Sequence, residues 1–390
     1  MDVKLLELHI SQAQLSLNRA CNNNYSDNNK AEYQDTLVAL FDKIKENFSS
    51  KQPGSDIEII EIKKELDFIF QSLESLDSST LNLIPYEMVA CLKCAMDEWL
   101  VKGEKFIIVT RLINELTGFS FDPSIAFNDQ LFRSIKQKYS IDIVHRLVQI
   151  SIPKALSRDY LAAVPLYHEL GHFIDIKNNI TSSLEKHLVN LFFSYQLPPA
   201  TQTELLSYFP FLPHYHSNPK MYEFVFQRHL GEYFCDLFAS QYVGRSLNLY
   251  LEYITEQQNY PVNTHPSTTF RIKVVEDFLS NNKNVIIYYL IDAIKQVTGM
   301  DLSIRYTPPS KNDFLHFLPV DIQNERELHG LFSMGWDLWL NNWDAFSKNM
   351  NMVQPIKREQ VYSVINNLIE KSISNYFINQ KWKLALSQEP

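Results

Sequence analysis

Residues 168 to 172 read His168-Glu169-Leu170-Gly171-His172, an H-E-x-x-H pattern. On a helix, side chains four residues apart lie about 40° from one another around the axis, so both imidazoles can reach a single ion at roughly 2.0–2.1 Å. Glu169 is rotated away from that pair by one residue. Its carboxylate can therefore take a proton from a water activated by the metal without being a ligand itself. A catalytic zinc of this kind needs a third protein ligand and an open fourth position. The extended motif in which a third histidine follows is excluded, because Asp175 and Asn178 stand where glycine and histidine are required. The alternative is a glutamate on a later helix, ideally with an acidic residue one turn on to hold a ligand histidine by its other ring nitrogen. Glu185, Glu204, Glu223, Glu232, Glu252 and Glu256 lie downstream, and only Glu232 has aspartate at i+4, in Glu232-Tyr233-Phe234-Cys235-Asp236. Tyr233, Phe234, Leu237 and Phe238 would anchor such a helix in the core with both carboxylates on one face. Glu232 is thus expected as the third metal ligand and Asp236 as the group behind it. The competing reading is a surface helix with two solvated acids.

These residues need elements to hold them, and the composition says which kind. Of 390 residues 45% are hydrophobic and 13% aromatic, so the chain must bury a core. Only 9 are glycine, about a third of the usual ~7% share, which disfavours sites built on glycine loops. No G-x-G-x-x-G occurs, and Gly330 and Gly335 are followed by Trp336 where a phosphate-binding loop needs lysine. With 36 basic and 45 acidic residues the net charge is -9, and nucleic acid is not an expected partner. Asp2 and Glu7 interrupt any apolar core at the start. The longest strongly apolar run, Val285 to Ile291, is far short of the ~18 residues that span a bilayer. A soluble, cytoplasmic protein without membrane insertion is expected, and four cysteines in so long a chain form no disulfide framework. Cys91-Leu92-Lys93-Cys94 has no second C-x-x-C to complete a tetrahedron and reads as two half-buried helix residues.

Along the chain, Leu37, Leu40, Phe41, Ile44 and Phe48 recur at helical spacing, as do Ile62, Leu66, Ile69, Leu73 and Leu76, with a break around Pro53 and Gly54. Lys105 to Arg111 and Ile143 to Pro153 are rich in β-branched residues and read as strands. Helix returns over 161–176, 221–242 and 266–279, and again over 284–298, 325–341 and 358–382. Trp336, Trp339 and Trp343 lie close together in this tail, in and just after 325–341, as packing residues. The expected fold class is α+β, predominantly α-helical, in three parts: a helical N-terminal region over 1–104, a core with a small sheet over 105–281, and a helical C-terminal region over 282–390.

A third element follows the two ligand helices: Thr264-His265-Pro266-Ser267-Thr268-Thr269-Phe270-Arg271. H-E-L-G-H, then E-x-x-x-D about sixty residues on, then H-P-S with arginine six residues after the histidine, resembles the gluzincin metallopeptidases. The similarity is to the branch containing the CAAX prenyl-protein endopeptidases and the bacterial membrane heat-shock proteases. It covers about a third of the chain, from Ile143 to Ile272, and implies that the 105–281 core is a zincin-like metallopeptidase core. The resemblance implies His168, His172 and Glu232 as zinc ligands and Glu169 as the base. It also implies His265 and Arg271 as catalytic groups that stabilise the oxyanion or bind substrate. A structural role for both, binding carbonyls or a carboxylate at a helix start, is the alternative. In the same arrangement the Ile143–Pro153 strand would be a sheet edge along which an extended peptide adds.

Many members of that branch are membrane-embedded, whereas this sequence has no spanning segment, so membrane or prenylated substrates do not follow. The H-E-L-G-H wording also occurs in soluble regulatory proteases of bacterial stress and phage responses. The expected function is therefore a zinc endopeptidase acting on a specific protein or peptide in a bacterial regulatory or defence setting. The alternative is a zincin-fold binding module with a structural or vestigial site, using its helical arms to hold a protein partner. Asp175 is on the metal face at i+7 from His168 and reads either as a group behind the ligands or as a solvated helix end. His214 and His216, in the 177–220 insertion, read as lid or pocket wall, and His145 as structural.

Overall fold

Apolar residues at intervals of three and four wind the N-terminal part into helices. The computed structural model describes residues 3–25, 27–51, 53–80, 85–254, 261–349 and 354–387. In it the N-terminal helices are Val3–Ala20, Asn28–Ser50, Asp56–Asp77 and Tyr86–Asp97. Of the residues named above, Met1, Asp2 and Glu256 lie outside the described ones. The break at Pro53 and Gly54 ends in a reciprocal cap. Ser55 accepts from the Glu58 amide, while the Glu58 carboxylate accepts from the Gly54 N–H at 2.7 Å. The expected apolar stripes, Leu37, Leu40, Phe41 and Ile44 on one helix and Leu66, Ile69, Leu73 and Leu76 on the next, join Leu6, Ala13 and Leu17 in one core. Cys91 and Cys94 lie on the fourth helix, the first buried and the second partly so.

Contacts divide the chain into two units: Met1–Lys93 with Leu100–Arg158, and Cys94–Trp99 with Asp159–Pro390. The first unit carries the sheet, formed by Phe106–Ile113 (β1), Ser120–Asp122 (β2) and Arg146–Pro153 (β3). β1 runs parallel to β3, from Phe106 opposite Arg146 to Ile113 opposite Pro153, and β2 pairs antiparallel with Gln149 to Ser151. Both strands expected from β-branched residues are present. The place of β3 corrects the sequence reading, because the order β1-β3-β2 makes it the central strand and not an edge open to an added peptide. Its burial gives the reason: Leu147 to Pro153 are all buried, polar Gln149 and Ser151 included. Ser75 Oγ donates to Gln149 Oε1 at 2.6 Å, so that face is covered by helix. A strand buried on both faces belongs inside a sheet. β2, three residues without alternation, gave no period to detect.

The second unit is helical. Val164–Asn178 carries the H-E-x-x-H residues (the motif helix), and Pro219–Val243 carries Glu232 and Asp236 (the carboxylate helix). Every residue of the latter from His229 to Val243 is buried, so polar groups on it must find partners inside the protein. Ser246–Ile254, Thr268–Leu279, Val285–Thr298, Glu325–Asn341 and Arg358–Ser387 complete the main helical framework of this unit. The last two pin the start of the motif helix. Asn366 Oδ1 accepts from the Tyr160 and Leu161 amides at 2.7 and 3.1 Å, and Trp336 Nε1 donates to the Leu161 carbonyl at 3.0 Å. Trp336 meets Trp339 edge to face, and Arg358 lies over Trp339, so these tryptophans serve packing. The fold is predominantly α-helical α+β with one small mixed sheet. Among the described residues no helix is long and apolar enough to cross a membrane.

Candidate metal centre

A glycine lets the two ligand helices touch. A Cβ on Gly171 would stand 2.9 Å from Cys235 Cα, so only glycine admits the carboxylate helix at this distance. The approach brings both motif histidines against Glu232. His168 Nε2 is 3.3 Å from Glu232 Oε2, and His172 Nε2 is 3.6 Å from Glu232 Oε1. On the far side of the first ring, His168 Nδ1 is 2.9 Å from Asp236 Oδ1. Asp236 is fully buried because Arg271 holds both its oxygens, donating from Nε to Oδ2 at 2.7 Å and from Nη2 to Oδ1 at 2.8 Å. The same Nη2 is 3.1 Å from Glu232 Oε2. Thus one guanidinium bridges the carboxylate expected to ligate and the one expected behind it.

The H-P-S segment is the start of the helix that supplies Arg271. Ser267 is its N-cap, accepting from the Phe270 amide, and Arg271 sits one turn inside. Arg271 was expected among the groups that bind substrate or the oxyanion. Its side chain is 5% exposed and its donors are turned to Asp236 and Glu232, the contacts named in the carboxylate-binding alternative. His265 differs: its side chain is 49% exposed, with Nε2 3.6 Å from Glu232 Oε1 and Nδ1 2.9 Å from Thr264 Oγ1. Glu169 is buried on the motif helix between the two histidines in sequence.

The charges explain what the pocket favours. Burial raises the pKa values of Glu232 and Asp236, but Arg271 and His168 outweigh it and hold both carboxyls below the usual range. Burial lowers His168, yet Asp236 and Glu232 pull it up to about 10. His172 is pushed down to about 4 by burial, and the attraction of Glu232 does not recover it against His168 and Arg271. Two buried carboxylates thus face two positive groups, the fixed guanidinium of Arg271 and the imidazole of His168, which the same carboxylates hold protonated.

A tetrahedron with bonds of about 2.05 Å has edges of about 3.4 Å. The two imidazole-to-carboxylate separations of 3.3 and 3.6 Å are close to that edge, although they run to different oxygens of Glu232. Glu232 Oε2 is also buried and receives no well-aligned hydrogen bond, although Arg271 Nη2 pairs with it at 3.1 Å. His168, His172 and Cys235 likewise offer ligand atoms all within 4.8 Å of one another, a largely buried group able to hold a metal ion. Cys235 was not singled out from sequence as part of a site. Its signal was its place between Glu232 and Asp236, opposite the only glycine of the motif helix.

The other expected positions lie elsewhere or are otherwise engaged. Glu185 accepts from Tyr215 OH at 2.6 Å, Glu204 accepts from the Val285 amide at the start of a helix, and Glu223 and Glu252 are exposed. Asp175 is buried, not a solvated helix end. It accepts from the Thr181 amide at 2.8 Å and from the Thr181 hydroxyl at 2.6 Å, capping the next helix, and burial raises its pKa to about 6. His214 and His216 are exposed on the Leu212–Ser217 turn, His216 against Phe193 with ring centres 4.1 Å apart. His145 is buried just before β3. Compared with protein-family models, with curated proteins and with solved structures, the chain matches none.

Proposed function

We propose that the chain is a zinc-dependent endopeptidase of gluzincin type that cleaves a specific protein, in a bacterial regulatory or defence setting. What carries the reading is that His168 Nε2 and His172 Nε2 both lie within 3.6 Å of the Glu232 carboxylate, in a largely buried cluster able to hold a metal ion. The resemblance of H-E-L-G-H, E-x-x-x-D and H-P-S-x-x-x-R to the gluzincins supports it, since each motif supplies a group of this cluster. His168, His172 and Glu232 would hold the ion. Zinc bound there supplies Lewis acidity toward a peptide carbonyl and a water molecule. The chain's own residues do the rest. Glu169 takes the water's proton on its carboxylate and returns it to the leaving amine. His265, the exposed member, offers Nε2 to the carbonyl oxygen as charge develops on it. Asp236 and Arg271 hold His168 and Glu232 from behind.

The test compares wild type with Glu169→Gln. Metal analysis should find one zinc per chain in both. New protein termini generated in expressing cells should appear with wild type and fall about 10²–10⁴-fold with the variant. Cleavage undiminished in Glu169→Gln would sink the mechanism. A wild type free of zinc would sink the site.

A further inference from the structure

Each motif histidine has two ring nitrogens, and the structure sorts them. Both Nε2 atoms face Glu232, at 3.3 and 3.6 Å. Both Nδ1 atoms face consecutive residues of the carboxylate helix: that of His168 is 2.9 Å from Asp236 Oδ1, and that of His172 is 3.2 Å from Cys235 Sγ. A neutral imidazole carries one N–H, so a lone pair aimed at a metal from Nε2 leaves the proton on Nδ1, where burial requires an acceptor. We propose that Cys235 is a positioning residue for the metal centre, its sulfur accepting the Nδ1–H of His172 as Asp236 flanks Nδ1 of His168. The inference rests on the metal-binding half of the reading above.

Its rival is Cys235 as a direct ligand. A zinc bound by one nitrogen and one sulfur at tetrahedral angle separates them by about 3.5 Å. The observed 3.2 Å is shorter, and it runs to the ring nitrogen that faces away from Glu232. Cys235 is also fully buried, its sulfur lying against the motif helix at Gly171. Adjacent residues at 235 and 236 thus serve the two histidines, while Glu232 one turn earlier faces their other nitrogens.

The full chain, stripped of metal, is titrated with zinc against a chromophoric chelator and with Co²⁺ by absorption, as wild type, Cys235→Ser and Cys235→Ala, each checked for folding by circular dichroism. Wild type should bind one Co²⁺ without a sulfur-to-cobalt charge-transfer band. Cys235→Ala should bind zinc about 10–100-fold more weakly, while Cys235→Ser, which keeps an acceptor, stays within about threefold of wild type. A charge-transfer band in wild type overturns the proposal by making Cys235 a ligand. Unchanged affinity in Cys235→Ala, or equal losses in Ser and Ala, overturns it by making the residue mere packing. A wild type that binds neither ion overturns the metal reading itself, and this inference with it, a failure distinct from the other two.

Discussion

Arg271 is the residue on which the buried charges balance. Its guanidinium lies within 3.1 Å of both Glu232 and Asp236, and all three side chains are almost wholly buried. Removing one partner of such a group leaves uncompensated buried charge, at a cost of about 3–5 kcal/mol. Arg271→Met should therefore lower the thermal unfolding midpoint of the metal-free protein steeply. Arg271→Lys should recover little, because one ammonium cannot repeat the two-pronged contact of Nε and Nη2 with Asp236. A lysine variant as stable as wild type would contradict that account. At this scale much was legible. Helical spacing singled out Glu232 with Asp236 among six downstream glutamates, and both lie beside His168, while the described rivals are committed to Tyr215 or a helix start or left exposed. The part of Cys235 was not legible, because a cysteine in an apolar helix signals packing, and only the neighbouring helix shows which ring nitrogen it meets.

At the scale of elements, the site depends on how closely two helices pack. Alanine at Gly171 would set a Cβ 2.9 Å from backbone Cα of Cys235, and backbone cannot step aside as a flexible side chain can. Gly171→Ala should force the helices apart, destabilising by about 1–3 kcal/mol and weakening metal binding although no ligand is touched. Chemical denaturation together with a zinc titration checks both. A variant that binds zinc as tightly as wild type would show that the contact does not set the ligand spacing. Asn366→Ala tests the other end of the motif helix, where the Tyr160 and Leu161 amides share one acceptor. About 1–3 kcal/mol of stability should be lost in thermal unfolding if those amides are left unpaired. The helices themselves were legible, because a 3.6-residue period is local. Strand order was not: β3 announced itself by its β-branched residues, but which strands flank it is decided by pairings up to forty residues apart in sequence, from Phe106 to Arg146. Its double-sided burial, readable in the run Leu147, Val148, Ile150 and Ile152, is the clue that places it centrally.

For the whole molecule, stability should respond to pH through buried groups outside the proposed ligand set, one in each unit. His329 is fully buried, its Nδ1 2.9 Å from Tyr167 OH and its Nε2 without a partner, and burial lowers its pKa from 6.5 to about 3. Between those values the unfolded chain binds a proton that the folded chain refuses. The contribution of His329 is therefore complete above pH 6.5 and declines as pH falls toward 3, by about 2 kcal/mol at pH 5. Lys30 acts in the opposite window. Burial lowers its pKa from 10.5 to about 8, despite the nearby Asp27, so at pH 7 the folded protein carries a buried ammonium at a cost of about 3 kcal/mol. That cost is relieved as pH rises from 8 to 10.5. Lys30→Met should accordingly raise the unfolding free energy by up to about 3 kcal/mol at pH 7 and by about 2 kcal/mol at pH 9. His329→Gln should flatten the fall in stability between pH 6.5 and 5 and leave the alkaline limb unchanged. Urea unfolding of the two variants and wild type at pH 5, 7 and 9 measures both. A Lys30→Met advantage that grew with pH would reverse the sign on which the argument depends.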